Sequence, residues 1–269
     1  MNKLNTTIAA CAVATVLGGL SASAQTLSLQ LAAANYNAST GVWTDTSGNG
    51  NNGTWSLTGG GTLPPNPTLV AGATPSGASA VDIGSGANGS FLLNSGIGFG
   101  SGYTVFAVIE PTTTTGRRAL TGGSAGQALE YDIFNGKQDY LREYNFDYGQ
   151  GTATVPTTSF SLLDLAVGAS ASAGTYNFNG TPDGTGTSTG TGFGSALTRI
   201  GNNEGGGDNF AGDISEIDIY SGVLTSGQIA TEEAALTAEY ITPVPEPSSW
   251  VMLAGGLGTL VAVRRFRRS

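Results

Sequence analysis

Glycine is the residue that most constrains how this chain can fold, since 43 of its 269 residues are glycine. The glycines recur with Asn, Ser and Thr between short runs rich in β-branched and aromatic residues. Glycine disfavours helix interiors and supplies the backbone conformations that tight turns need. This spacing is typical of short strands joined by turns, so the sequence predicts an all-β fold.

Two segments show the strand pattern most clearly. In residues 103–110 both alternating faces are largely apolar, which predicts a strand covered on both sides. In residues 214–220, Ile217 and Ile219 share one face while Glu216 and Asp218 share the other, which predicts a half-exposed strand. We expect two packed antiparallel sheets. The predicted strands are residues 91–93, 103–110, 128–134, 140–144, 159–168, 175–178 and 214–220.

One short helix is predicted near the C-terminus, over residues 226–240. The segment opens with Ser226 as a capping residue and is rich in alanine. Ile229, Leu236 and Tyr240 recur at helical spacing, so we expect this apolar stripe to pack on the edge of the sandwich.

The N-terminus has the pattern of a secretory signal peptide over residues 1–24. Lys3 precedes an apolar stretch at residues 8–20, and small residues follow. This order predicts cleavage between Ala24 and Gln25, and therefore an exported protein.

The C-terminus has three parts in order: Pro245-Glu246-Pro247, an apolar run at residues 248–263, and a basic end. The apolar run has 16 residues. As a helix it would reach about 24 Å, somewhat short of the ~30 Å hydrocarbon core, so it would span only with local thinning or snorkelling. Cations beside a membrane segment resist translocation, so we expect the basic end to stay on the cytoplasmic side. The basic residues are Arg264, Arg265, Arg267 and Arg268.

This tail resembles the PEP-CTERM sorting signal of exported bacterial proteins, and residues 243–269 are assigned to it. The resemblance implies recognition by an exosortase-type transpeptidase after the general export machinery, with cleavage near Pro247. It also implies a transient stage in the inner membrane through residues 248–263, followed by the cell surface or the extracellular matrix.

The predicted mature domain, residues 25–242, has no sulfur or imidazole chemistry. The chain contains no histidine, and its one cysteine, Cys11, lies in the predicted signal peptide. The composition excludes disulfides, zinc sites built from Cys or His, and Ser-His-Asp or Cys-His catalysis.

The mature segment is strongly acidic. Between Gln25 and Pro245 there are five cations and 18 carboxylates, which gives a net charge of −13. Such a surface repels phosphate backbones, so we expect no nucleic-acid partner. It suits solubility outside the cell, calcium or neutral polysaccharide.

Three segments together resemble a laminin-G-like domain of the concanavalin A-like lectin/glucanase superfamily. They are the Trp-x-Asp-x-Ser-Gly-Asn-Gly-Asn opening at residues 43–51, the strand at 103–111 and the closing strand and helix at 200–225. The resemblance covers residues 28–240 and implies a jelly-roll sandwich of lectin or glucanase type.

Glu216 and Asp218 are the candidate catalytic residues. Laminarinase-type hydrolases of the resembled superfamily carry three carboxylates on one strand face as Glu-x-Asp-x-(x)-Glu. Hydrolysis with retention needs two carboxyl groups about 5–5.5 Å apart, one of them able to donate a proton. Tyr220 and Ser221 stand where the third carboxylate would be, and neither is an effective acid near neutral pH. We therefore expect a protein that is not an enzyme.

A loop near the N-terminus is the candidate metal site, for calcium, and we expect no other cofactor. Asp45, Ser47, Asn49 and Asn51 alternate through a glycine-containing loop, and calcium prefers such hard oxygen ligands. Leu57 stands where an EF-hand would have its bidentate Glu. Asn and Gly also build turns without any metal, so this alternative stays open.

Aromatic residues are the candidate sugar contacts. They can stack on sugar rings, although in a sandwich they also fill the core. The candidates are Trp43, Trp55, Tyr140, Tyr144 and Tyr148.

Three functions are compatible with these sequence features. The preferred one is a surface-sorted, non-enzymatic carbohydrate- or matrix-binding module associated with extracellular polysaccharide or biofilm. A degenerate or unusual glycoside hydrolase that uses Glu216 and Asp218 is the alternative, and a structural matrix spacer is the third.

The sorting signal generates the first prediction. Changing Glu246, or deleting residues 264–269, should leave the full-length form in the inner membrane, because processing depends on the motif and on the basic end. Fractionation followed by immunoblotting measures this. A surface fraction equal to that of the wild type would contradict the assignment.

Overall fold

The computed structural model describes residues 25–84, 88–98, 102–123, 130–141, 147–168, 174–186, 196–203 and 206–244. Within these residues, 17 strands form two sheets whose paired strands run antiparallel, which confirms the all-β sandwich. The predicted signal peptide and sorting signal, residues 1–24 and 245–269, lie outside the described residues.

The elements are bounded as follows. The strands are β1 (Thr26–Ala32), β2 (Tyr36–Asn37), β3 (Val42–Trp43), β4 (Gly53–Leu57), β5 (Thr68–Val70), β6 (Ala80–Ile83), β7 (Gly89–Ile97), β8 (Gly102–Pro111), β9 (Arg117–Gly123), β10 (Glu130–Phe134), β11 (Lys137–Leu141), β12 (Asp147–Gln150), β13 (Ser161–Gly168), β14 (Gly174–Phe178), β15 (Thr181–Gly186), β16 (Leu197–Ile200) and β17 (Gly212–Ser221). The helical segments are a 3-10 turn (Ala33–Asn35), α1 (Ser226–Leu236) and the C-terminal turn (Thr237–Ile241), which is π-helical.

The two sheets are called sheet A and sheet B. Sheet A has the strand order β15-β14-β13-β8-β17-β6-β5, and β1 also pairs with β17. Sheet B has the order β12-β11-β10-β9-β16-β7-β4-β3-β2. The first and last strands of the domain therefore meet at the centre of sheet A.

Strand β8 confirms the prediction of a strand covered on both sides. Val105 and Ala107 belong to the main core between the two sheets, and both are 0% exposed. Phe106 and Val108 point the other way and belong to a second apolar cluster formed with the helical segment. Sheet A is thus the middle layer of three.

The main core contains a group of aromatic side chains centred on Phe91. Its ring lies 5.0 Å from the Trp43 ring, 5.1 Å from the Trp55 ring and 5.6 Å from the Tyr36 ring. Gly89 makes room for this group, since a Cβ there would lie 2.2 Å from the Trp55 ring. Trp43 and Trp55 are 0% and 5% exposed. The prediction that they contact sugar is wrong, because both fill the core.

Helix α1 forms where the sequence predicts a helix, with a different cap. Thr225 is the N-cap, and its side chain forms a capping box with Gln228. Ile229, Leu236 and Tyr240 are buried as predicted. They pack on the outer face of sheet A and not on the edge of the sandwich, because Phe106 and Leu162 offer an apolar surface there.

The covering helix also overturns the prediction of a half-exposed β17. Glu216 and Asp218 are only 4% and 1% exposed. Their face is polar, yet it is buried, because α1 and the C-terminal turn lie over it. The period-2 pattern assigned the two faces of the strand correctly and the exposure of one of them incorrectly.

No helix among the described residues combines the length and the apolar character needed to cross a bilayer. The predicted membrane segment, residues 248–263, is not among the residues described.

The aromatic core generates the second prediction. Phe91→Ala should lower the free energy of unfolding by about 3–5 kcal/mol, because it leaves a cavity among three rings. Leu92→Ala, at the next residue, is the matched control. Leu92 is 39% exposed, so its loss should cost about 0.5 kcal/mol or less. Urea unfolding measures both changes in the free energy of unfolding. Equal losses of stability in the two variants would contradict the placement of Phe91 in the core.

Candidate functional site

Carboxyl groups line the interface between sheet A and α1. Asp164 on β13 and Asp218 on β17 are both register partners of Phe106 on β8. The same row continues to Asn177 on β14 and to Gln30 on β1. Directly opposed residues of antiparallel strands share a face, so this polar row lies beneath the helix.

Glu216 joins three elements by hydrogen bonds. Gln30 Nε2 donates to its Oε1 at 2.9 Å, and the Tyr240 hydroxyl donates to its Oε2. These bonds connect β1, β17 and the C-terminal turn. Burial raises the pKa of Glu216, although the bonds from Tyr240 and Gln30 act against that shift.

Asp164 and Glu233 are bridged by one amide. Asn177 Nδ2 donates to Asp164 Oδ1 at 3.1 Å and to Glu233 Oε1 at 2.9 Å. Burial and the neighbouring Glu233 together raise the pKa of Asp164 to about 8. Asp164 and Glu233 are 1% and 8% exposed, so the pair is enclosed between strand and helix.

The placement of Glu216 and Asp218 bears on the catalytic alternative. A glycoside hydrolase brings two carboxyl groups to a bound sugar. Here α1 and the C-terminal turn occupy the space in front of both residues. The interface acids therefore connect helix and sheet and do not line an open cleft.

Asp45 is the centre of a hydrogen-bonded loop. Its Oδ1 accepts from Gln30 N at 3.0 Å and from Ser47 N at 2.9 Å. Its Oδ2 accepts from Ser47 Oγ at 2.9 Å and from Asn51 N at 2.8 Å. Burial raises the pKa of Asp45, but these hydrogen bonds outweigh burial and hold it below its usual value.

The other predicted metal ligands lie in the same loop and tie it to β1. Asn49 Nδ2 donates to Leu27 O at 2.8 Å, and Asn51 Nδ2 donates to Ser28 O at 2.9 Å. The structure thus brings together the four residues that the sequence singled out. In the described part of the chain, no group of three or more Asp, Glu, His or Cys side chains is placed to hold a metal.

Sheet B carries a second charged group on its outer face, which sequence reasoning missed. Arg117 Nη1 forms ion pairs with Asp132 and Asp139, whose side chains are 0% exposed. Its guanidinium lies 4.6 Å from the centre of the Phe134 ring. Burial raises the pKa of Glu130, on the same strand as Asp132, to about 8. These residues come from three strands, so no local sequence motif predicts the group that they form.

The outer face of sheet B also carries a patch of other residues, which we call the sheet B patch: the exposed Thr54, Leu92 and Asn94 and the half-buried Arg199. Leu92 is the register partner of Thr54 on β4 and of Arg199 on β16. Because Phe91 and Leu93 point into the core, Leu92 points outward, and it is 39% exposed. Arg199 Nη1 donates to Ser90 Oγ at 2.9 Å, which orients the guanidinium on this face.

Three aromatic candidates have side chains outside the described part of the structure. Tyr144 is not among the described residues, and the side chains of Tyr140 and Tyr148 are not described either. They stay predicted sugar contacts.

Comparison with known proteins identifies the family. Residues 84–230 match the family model of the concanavalin A-like lectin/glucanases superfamily, and the chain belongs to this superfamily. Residues 243–268 match the PEP-CTERM protein-sorting motif. That motif points to an exported, surface-sorted protein and implies processing by an exosortase. A search of curated protein sequences found no match.

Solved structures share the fold at low sequence identity. Domain 4 of AbnA, an extracellular arabinanase from Geobacillus stearothermophilus solved with arabinotriose, has a TM-score of 0.59 and 20% identity, covering 77% of this chain and 98% of that one. The binding domain of Paraclostridial Mosquitocidal Protein 1 has a TM-score of 0.56 and 13% identity, covering 78% of this chain and 52% of that one.

The Asp45 loop generates the third prediction. Asp45→Ala should lower the free energy of unfolding by about 1–3 kcal/mol, since buried donors lose their acceptor. Because the folded pKa of Asp45 is lowered, this contribution is present above its unfolded pKa and lost as the pH falls through the folded pKa. Urea unfolding at pH 7 and pH 3 measures both effects.

Asn49→Ala in the same loop is the control for Asp45→Ala. Its side chain is exposed and carries no charge, so its loss should cost about 1 kcal/mol or less at either pH. A cost for Asp45→Ala that is no larger, or that does not shrink at pH 3, would refute the role given to this carboxylate.

Proposed function

We propose that the mature protein is a non-enzymatic, surface-sorted module that binds extracellular polysaccharide through the sheet B patch. One observation carries this proposal: α1 covers the outer face of sheet A, whereas Leu92 on sheet B is 39% exposed. At Leu92 the outer face of sheet B is therefore open to a ligand in this lectin-type sandwich.

The chemistry of the sheet B patch suits a sugar. An apolar side chain such as Leu92 contacts the C–H face of a sugar ring. The Thr54 hydroxyl, the Asn94 amide and the Arg199 guanidinium supply hydrogen bonds for its hydroxyl groups. The net charge of −13 between Gln25 and Pro245 repels anionic polymers, so the proposed ligand is a neutral polysaccharide.

The proposed route to the surface follows from the sorting motif. Residues 1–24 direct export, residues 248–263 hold the chain in the inner membrane, and an exosortase-type transpeptidase cleaves near Pro247. The domain then reaches the cell surface or the extracellular matrix, where it meets polysaccharide or biofilm.

The alternative is a degenerate or unusual glycoside hydrolase of the laminarinase type that uses Glu216 and Asp218. Burial of both residues beneath α1 disfavours it, as does the absence of a third carboxylate at Tyr220 or Ser221. A matrix spacer without a ligand is the third candidate.

A polysaccharide array tests the three functions together, with the full-length protein in a neutral detergent. We expect binding to a neutral polysaccharide without release of reducing ends. Parallel wells with calcium and with chelator test the Asp45 loop as a metal site. Release of reducing ends by the wild type that is lost in the Glu216→Gln variant would favour the hydrolase. Neither binding nor release of reducing ends in any well would favour the spacer.

The sheet B patch generates the fourth prediction. Arg199→Gln should weaken polysaccharide binding at least tenfold, about 1.4 kcal/mol, because a charged hydrogen-bond donor is lost from the patch. Lys137→Gln removes the same charge three strands away and should bind like the wild type. Equal affinities of the Arg199→Gln variant and the wild type for the polysaccharide would mean that the binding site lies outside the sheet B patch.

A further inference from the structure

The acids between sheet A and α1 have no part in the proposed ligand binding, yet they sit where burying charge is costly. They lie between two packed layers, and Asp164, Asp218 and Glu216 are each at most 4% exposed. The cost of burying an ionised carboxylate is offset only by a partner charge or by hydrogen-bond donors. Around these acids, hydrogen-bond donors are too few to offset that cost.

The hydrogen bonds around these acids leave oxygens without a donor. Asp164 Oδ2 and both carboxyl oxygens of Asp218 are buried and accept no hydrogen bond from a described donor. Asp218 faces the carboxyl groups of Glu216 and Glu232. In the same way, Asp164 faces the carboxyl group of Glu233. Two carboxyl groups can hydrogen-bond to each other only when one of them holds a proton.

No described cation replaces that proton. In the part of the chain that the structure describes, both ion pairs involve Arg117, on the opposite sheet. The groups that face one another across the interface are Asp164 on β13, Glu216, Asp218 and Tyr220 on β17, Glu232 and Glu233 on α1, Glu239 and Tyr240 on the C-terminal turn, and the neutral amides of Asn177 on β14 and Gln30 on β1.

We propose that α1 and the C-terminal turn form a proton-dependent latch on sheet A, closed while the interface carboxyl groups share protons and released when they ionise. Ile229 and Leu236 belong to one apolar cluster with Phe106, and burial of this cluster holds the helix in place. Ionisation opposes them with repulsion between helix acids and strand acids. The latch matters because α1 is followed by the C-terminal turn, which leads through Thr242 into the segment that carries the sorting motif.

The direction of the pH dependence follows from the acids themselves. Burial raises the pKa of Asp164 to about 8, and it raises that of Asp218 well above its usual range. The docked state thus binds more protons than the released state. Docking is fully stabilised below the ordinary Asp and Glu pKa of about 4 and weakens as the pH rises toward 8.

Hydrogen–deuterium exchange of the full-length protein in a neutral detergent tests the latch. After correction for intrinsic rates, exchange in residues 226–241 should rise at least tenfold from pH 5 to pH 9. Peptides from β7 and β16 of sheet B should keep their protection. No rise in residues 226–241 would overturn the proposal, and so would an equal rise in sheet B, which indicates global unfolding.

Neutral variants separate the latch from other effects of pH. The double variant Asp164→Asn/Asp218→Asn should flatten the pH response, and Glu233→Gln, on the helix, should reduce it if the double variant does not fold. Asp82→Asn is the control, since Asp82 pairs with Asp213 elsewhere on sheet A. A full pH response in the Asp164→Asn/Asp218→Asn or Glu233→Gln variant would overturn the proposal.

Discussion

The burial of sheet A on both faces is the constraint on which the rest of this structure depends. Strand β17 shows it most clearly, because it pairs with β8 on one side and with both β1 and β6 on the other. Its three isoleucines, Ile214, Ile217 and Ile219, point into the core between the sheets. The opposite face of β17 carries Glu216 and Asp218, and α1, which packs on the apolar residues of the neighbouring strands, covers these acids with acids of its own. Placing the helix there commits the protein to burying carboxyl groups.

This arrangement makes the sandwich asymmetric, so the polar groups of its two sheets have different roles. Sheet A is the middle layer and is covered on both faces. Its acids face α1, so they affect the docking of the helix. Sheet B has its outer face free at Leu92 and carries the Arg117 ion pairs on neighbouring strands. The proposed ligand surface and the proposed latch therefore sit on opposite sides of one domain, and changes at one need not disturb the other.

Periodicity in the sequence predicted the strands that lie deepest, and it failed on the short ones. The segments at β8, β13 and β17 are long and rich in Val, Ile and Leu, so their alternation stands out. Strands such as β5 and β16 have three and four residues, too few for a pattern, and β15 is largely Gly, Thr and Pro. Their strand conformation comes from neighbours that offer hydrogen bonds, and that information is not local.

The sequence by itself determined the fold class, the sorting motif and the types of chemistry the domain lacks, since these depend on composition, local pattern and motif order. Only the tertiary structure decided which polar residues are buried and which are free. Glu216 and Asp218 look solvent-facing in the strand pattern, and Trp43 looks available to a sugar, yet all three are buried. Arg117, Asp132 and Asp139 come together only through strand pairing. Exposure depends on what packs against a face, and packing joins segments that are far apart in the chain.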